Sequence, residues 1–235
     1  MKGSSNMSFA ARLQKAIDVL TLLMGFTGFN PPPDYSLVKF QELITAVTNA
    51  NNDLQAKVQA YRQAVVTRAT MFKQYADSVI LRPVKLRGAV VAAYGRNSHQ
   101  DNMVSDLIRR LRLTRIVITP PDPQTEAAEK KVIISDRGYG AMLGHYRNIV
   151  EAIKTFPDWD TKMPDMTIAI LEKALNDTLA ANTAVMDAFG ARSAALKNRK
   201  DLYLKLRDFV IRMKGYVKSK YGPGREDNLI KSVKI

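Results

Sequence analysis

At 235 residues and 46% hydrophobic content the chain is long enough to bury a core. The absence of cysteine excludes a disulfide framework, a thiol nucleophile and cysteine-ligated zinc or iron–sulfur centres. Thirty-six Lys and Arg stand against 22 Asp and Glu, and the resulting +14 favours anionic partners.

The first element is an amphipathic helix from about Phe9 to Phe26. Its apolar run Val19-Leu20-Thr21-Leu22-Leu23-Met24 follows Arg12, Lys15 and Asp18 at helical spacing. This pattern predicts a surface helix and neither a signal peptide nor a membrane span, so the expected location is cytoplasmic. Pro31-Pro32-Pro33 then forces extended geometry, and Ser36 stands where the next helix wants an N-cap.

From Ser36 onward Phe40, Ile44, Val47, Leu54, Val58, Tyr61, Val65, Phe72, Tyr75 and Val79 keep a heptad rhythm, which predicts coiled-coil or bundle packing. As one helix this stretch is about 68 Å long at about 1.5 Å per residue. Asn51 and Arg68 occupy core phases of the stripe. Asn51 either caps a second helix or lies at the seam of a continuous one, and the absence of Gly or Pro there favours continuity. Pro83 should kink or end the helix just past the stripe. Tyr94-Gly95 supplies a C-terminal stop, and Ser98 with Asp101 resembles a capping box for a helix from about His99 to Leu111.

Ile116-Val117-Ile118 and Val132-Ile133-Ile134 are the only runs with strand character. They flank Thr119-Pro120-Pro121-Asp122-Pro123, and the segment reads as an extended linker or a β-hairpin. Beyond it the pattern begins again. A short helix from about Tyr139 to Thr155 ends before Pro157, and Thr167 caps a second long stripe through Leu171, Leu175, Val185, Phe189, Leu196, Tyr203, Leu206 and Val210. With a shift of 131 residues Asn51 falls on Asn182, Arg68 on Arg199, Asp77 on Asp208 and Pro33-Asp34 on Pro164-Asp165. After a four-residue deletion Tyr94-Gly95 fall on Tyr221-Gly222, and a final helix of one or two turns follows.

The expected fold is therefore all-α: an elongated helical bundle built from an internal duplication, with repeat 1 over 1–115, a linker over 116–135 and repeat 2 over 136–235. An antiparallel pairing of the long helices would bring Asn51 to Arg199 and Arg68 to Asn182 together, a polar seam that drives the two basic ends to opposite poles.

The charge is localised in equivalent ends of the copies. Residues 82–115 carry +6, through Arg82, Lys85, Arg87, Arg96, Arg109, Arg110, Arg112 and Arg115 against two acids, and residues 197–235 carry +8. In the second segment Arg212, Lys214, Lys218, Lys220 and Arg225 are the cations that match the first set. Such clusters neutralise phosphates, and the interleaved Tyr94, Tyr216 and Tyr221 either stack on unpaired bases or pack at the helix ends.

Catalytic signals are weak. His99 and His145 occupy non-equivalent positions with no dyad spacing. Asp158-Trp159-Asp160 with Asp165 lacks the length and terminal Glu of a calcium loop and fits capping and turn formation. Gly138-Tyr139-Gly140, even with Gly144, lacks the third spaced glycine of a dinucleotide fingerprint. The expectation is a non-enzymatic binding or scaffolding protein with no cofactor and no membrane insertion, contacting RNA, a ribosome or DNA. A self-assembling structural protein, forming homo-oligomers, is the alternative, and an enzyme comes third.

Overall fold

The computed structural model describes residues 8–74, 77–112, 114–119, 130–135 and 138–233, with side chains outside 112–137. The fold is helical. Helix α1 spans Phe9–Met24 and begins at Ser8, whose hydroxyl accepts the Ala11 amide at 3.2 Å. A 3-10 turn at Pro33–Tyr35 leads into α2, Leu37–Ala69, where Ser36 Oγ accepts the Lys39 amide at 3.3 Å. Helices α3 (Arg82–Tyr94) and α4 (His99–Arg112) follow. Thr114–Thr119 (β1) pairs antiparallel with Lys130–Ser135 (β2), Thr114 lying opposite Ser135.

The later elements are α5 (Tyr139–Lys154), the single turn α6 (Trp159–Lys162), the 3-10 turn Pro164–Met166, α7 (Ile168–Tyr221) and α8 (Arg225–Ser232). Thr167 Oγ1 accepts the Ile170 amide at 3.4 Å, and Asp160 Oδ1 accepts that of Ile168 at 2.8 Å, so two side chains meet the orphan donors at the start of α7. Helices α2 and α7 run unbroken through Asn51 and Asn182. Gly95 and Gly222, at φ +89° and +67°, end α3 and α7 in conformations that a Cβ would strain.

One expected element is corrected. The stripe after Ser36 does not stay in one helix to Val79: α2 ends at Ala69, Thr70–Gln74 forms a π turn, and α3 begins anew at Arg82. Pro83 has no amide hydrogen to give, so it sits in the first turn of α3. The chain must leave helical geometry before it, and it does so through Ser78, whose carbonyl accepts the Arg82 amide at 2.8 Å. The amides of Val79 and Ile80 reach back to the carbonyls of Met71 and Phe72 at 3.2 and 3.3 Å, occupying acceptors that the π turn leaves open.

The chain divides into two compact units that do not coincide with the repeats expected from sequence. One joins residues 1–60 to 189–235, and the other is 61–188. Each has its own core. In the first, Val19, Leu23, Phe40 and Val47 pack with Leu206, Val210, Met213, Val217 and Ile230. In the second, Phe72, Leu86, Val90 and Val104 pack with Met142, Tyr146, Ile149, Ile153, Trp159 and Leu171. In α7 the heptad positions Phe189 and Leu196 are each 50% exposed, because a stripe of apolar spacing buries only where helices on both flanks cover it.

In the 61–188 unit Asp101 is buried and accepts from the Asn97 amide at 3.0 Å, Arg87 Nε at 3.1 Å and Ser105 Oγ at 3.1 Å, while its own amide donates to Ser98 Oγ. The Asn97 amide first, then Arg87, hold its carboxyl below the ordinary aspartate range. A lowered folded value stabilises at pH above the unfolded pKa of about 3.9, and that contribution disappears as pH falls through the lower folded value. Asp101→Asn is therefore expected to flatten the acid limb of a pH–stability profile measured by denaturant titration. An unchanged acid limb would contradict it.

Candidate functional site: basic surfaces and a polar seam

In the 61–188 unit several of the cations singled out by sequence are engaged. Arg82 is half-buried and donates to the hydroxyl of buried Tyr146 at 3.4 Å. Burial raises the Tyr146 phenol above its usual value, and Arg82 opposes that shift. Lys85 pairs with Asp77 at 2.8 Å, a bond that holds the Asp77 carboxyl low, and Arg87 with Asp101. Arg109 pairs with Asp106. Arg96 and Arg110 are exposed and form no ion pair among the described residues. The side chains of Arg112 and Arg115 lie outside them.

The unit of residues 1–60 and 189–235 is different. It holds 18 Lys and Arg against 8 Asp and Glu, net +10, whereas residues 61–188 hold 18 against 14, net +4. Arg212 pairs with Asp208 at 2.9 Å and lies 5.2 Å from the Tyr35 ring centroid. Lys214 donates to the Val233 carbonyl, and burial lowers its ammonium pKa. Lys220 donates to the Gly28 carbonyl and forms no ion pair among the described residues. Lys218 and Arg225 are exposed without an ion pair among the described residues.

Sequence reasoning missed a stripe on α7. Lys197, Lys200, Leu204, Arg207, Ile211, Lys214 and Lys218 follow one another at steps of three and four, which places them along one helical face. Leu204 and Ile211 are 54% and 55% exposed, so the face alternates cations with aliphatic side chains. The signal was the i, i+3, i+4 spacing of Lys and Arg, obscured because the positions were counted as a total and not by face.

The tyrosines are already engaged. The Tyr94 hydroxyl donates to the Pro157 carbonyl at 2.6 Å, its ring stacks with Trp159 at 6.4 Å, and Lys162 lies 4.3 Å from its centroid. Tyr221 donates to the Thr27 carbonyl at 2.9 Å and meets Phe26 edge-on at 5.8 Å. Tyr216 donates to the Asn30 carbonyl and packs against Phe29. All three serve helix-end packing.

The polar seam forms in part. Arg68 Nη1 donates to Asn182 Oδ1 at 3.3 Å, but Asn51 Nδ2 donates to the Tyr203 hydroxyl at 3.0 Å, and among the described residues Arg199 donates no hydrogen bond to the Asn51 carbonyl. Tyr203 in turn donates to the Phe9 carbonyl at 2.8 Å. A phenol at this core position reaches the amide that Arg199 was expected to meet. Each Arg instead covers an aromatic ring: Arg68 lies 4.1 Å from the Tyr139 centroid, and Arg199 4.2 Å from that of Phe9. The Nε atoms of both are buried and have no acceptor among the described residues. A double-mutant cycle of Arg68→Met and Asn182→Ala, read by urea denaturation, is expected to give a coupling of about 0.5–1 kcal/mol, the low end for contacting residues because 3.3 Å is a long bond. Additive effects would contradict the pairing.

The weaker sequence signals lie as follows. Gly138 precedes the first turn of α5, and the Tyr139 ring packs edge-on against Phe72 at 4.9 Å. Asp158 adopts φ +56° at the start of α6. His99 and His145 lie on α4 and α5. Among the described residues no group of three or more His, Asp or Glu is arranged to hold a metal, and no helix is long and apolar enough to cross a membrane. The chain matches no protein-family model, and no curated protein or solved structure is found similar to it.

Proposed function

We propose that this is a non-enzymatic binding or scaffolding protein that presents the exposed face of α7 to an anionic polymer such as RNA or DNA, free or within a ribosome. The observation that carries the reading is the concentration of +10 on one unit, with Lys197, Lys200, Arg207 and Lys218 along one helical face and without an ion pair among the described residues. With the tyrosines engaged, recognition rests on phosphates and not on bases, so discrimination between sequences is low. Affinity for single-stranded RNA or duplex DNA, followed by fluorescence anisotropy, is then expected to fall with a log–log salt slope of about −0.9 per duplex phosphate neutralised. No binding at low salt would remove the reading.

An internal duplication belongs to the same proposal, with β1 and β2 as a hairpin linker between the copies. Matching contacts support it. Tyr94 meets the Pro157 carbonyl and Phe156 as Tyr221 meets the Thr27 carbonyl and Phe26. Arg68 covers Tyr139 as Arg199 covers Phe9. Under this reading each compact unit combines the first part of one copy with the last part of the other.

Self-assembly is a second reading, favoured by the exposed Leu204 and Ile211. Concentration-dependent sedimentation in the absence of nucleic acid, abolished by Leu204→Asp, would select it.

A further inference from the structure

Beside the start of α1, the unit of residues 1–60 and 189–235 contains a cleft of about 450 Å³ lined by Phe9, Ser193, Leu196, Lys197, Arg199 and Lys200. That volume suits a small molecule. Its charge is one-sided. Lys197 and Lys200 are exposed and three residues apart on α7, and neither forms an ion pair among the described residues. Like charges at this spacing repel, and a bound anion relieves the repulsion.

Arg199 adds a second cue. Its guanidinium is held 4.2 Å from the Phe9 ring centroid, no described oxygen accepts from it, and its Nε is buried and unpartnered. A buried donor without an acceptor is costly, and Arg68, the corresponding residue of the other unit, at least meets Asn182 through Nη1. The Phe9 ring is fixed on its other contacts by Tyr203, at 4.7 Å between centroids, yet stays 36% exposed, and Leu196 is 50% exposed. The cleft therefore offers apolar surface beside three cations and the Ser193 hydroxyl. The cleft at the π turn, lined by Thr70, Asp77, Arg82, Lys173 and Asp177, differs because it carries both signs of charge, Asp77 pairing with Lys85 and Lys173 with Asp177.

We infer that the Phe9–Arg199 cleft is a binding site for a small organic anion, a ring-sized apolar body bearing one carboxylate, sulfonate or phosphate. The body lies against Phe9 and Leu196, and the anionic group faces Lys197, Lys200 and the guanidinium of Arg199. The site uses Lys197 and Lys200 of the polymer-facing stripe on α7, so a bound polymer and the small anion would compete for them.

Naphthalene-2-sulfonate is the probe, titrated into the full chain by calorimetry, with backbone amide shifts followed by NMR. One site with a Kd of about 0.1 mM is expected, as ligand efficiency allows for a molecule of this size. The shifts should centre on residues 193–200. Inorganic phosphate and naphthalene-2-methanol should each bind at least tenfold more weakly. Lys197→Glu with Lys200→Glu, which leaves the Arg199–Phe9 stack intact, should weaken binding at least tenfold with an unchanged circular dichroism spectrum. Arg207→Glu with Lys218→Glu should leave it within twofold. Phosphate or the neutral alcohol binding as tightly as the sulfonate, shifts elsewhere, or full binding by the Lys197/Lys200 variant would each overturn the inference.

Discussion

Replacing Trp159 with alanine is expected to cost the 61–188 unit about 3–5 kcal/mol, the usual loss when a buried large aromatic is truncated. Trp159 is 1% exposed and sits in that unit's core between Tyr94 and Phe156, with Nε1 donating to the Met166 carbonyl at 2.7 Å. Truncation removes the packing partner of both rings and leaves that carbonyl without its donor. A loss of this size is a large share of a typical domain stability of about 5–15 kcal/mol. Trp159→Phe keeps most of the buried ring and loses the donor, so a smaller cost of about 1–3 kcal/mol is expected. Denaturant titration followed by circular dichroism measures both, since the only tryptophan is removed. A change under 1 kcal/mol for the alanine variant would show that the residue is not in a packed core.

The second large effect concerns binding. Changing Arg207, Lys218 and Arg225 to Glu removes three exposed cations that form no ion pair among the described residues and adds three anions to the more basic unit. If each of the three neutralises one phosphate, the salt slope should drop by about 2.7, and affinity at low salt should fall more than about 100-fold. None of the three side chains is buried, so the helical signal should not change. An unaltered affinity would move the interface off α7.

Local chemistry made much of the helical framework legible. Ser36, Thr167 and Ser98 act as caps because a short hydroxyl side chain meets an orphan amide wherever it stands before a helix, and Gly95 and Gly222 mark helix ends because a stop at positive φ favours them. The π turn was not legible. Its residues, Thr70 to Gln74, include no Gly or Pro, and the constraint that ends the helix, Pro83, lies nine residues beyond Gln74. The division into two cores was hidden for another reason: Phe189 and Leu196 share the heptad phase and apolar character of Leu175, and only the presence of flanking helices distinguishes a covered position from an exposed one.

The candidate site was read with similar limits. Total charge located the basic segments, but pairing decides which cations remain available, and some pairs reach carboxylates outside the cation's own helix, as Arg87 reaches Asp101 and Lys85 reaches Asp77. Tyr203 counted as one more apolar position of the stripe. Its hydroxyl proved to be the group that joins Asn51 to the Phe9 carbonyl.

The division of the chain also sets an order of events during synthesis. Residues 61–188 form a contiguous unit, whereas the other core needs Val19 and Phe40 to meet Leu206 and Met213, more than 160 residues later in the chain. At about 5–20 residues per second, α1 and the start of α2 wait on the order of ten seconds for their partners to emerge. The contiguous unit closes a shorter loop and is expected to acquire hydrogen-exchange protection first in pulse-labelling experiments, while simultaneous protection of both cores would contradict this order. Until α7 is complete, the apolar faces of α1 and of the start of α2 are without the late partners that cover them and need shelter.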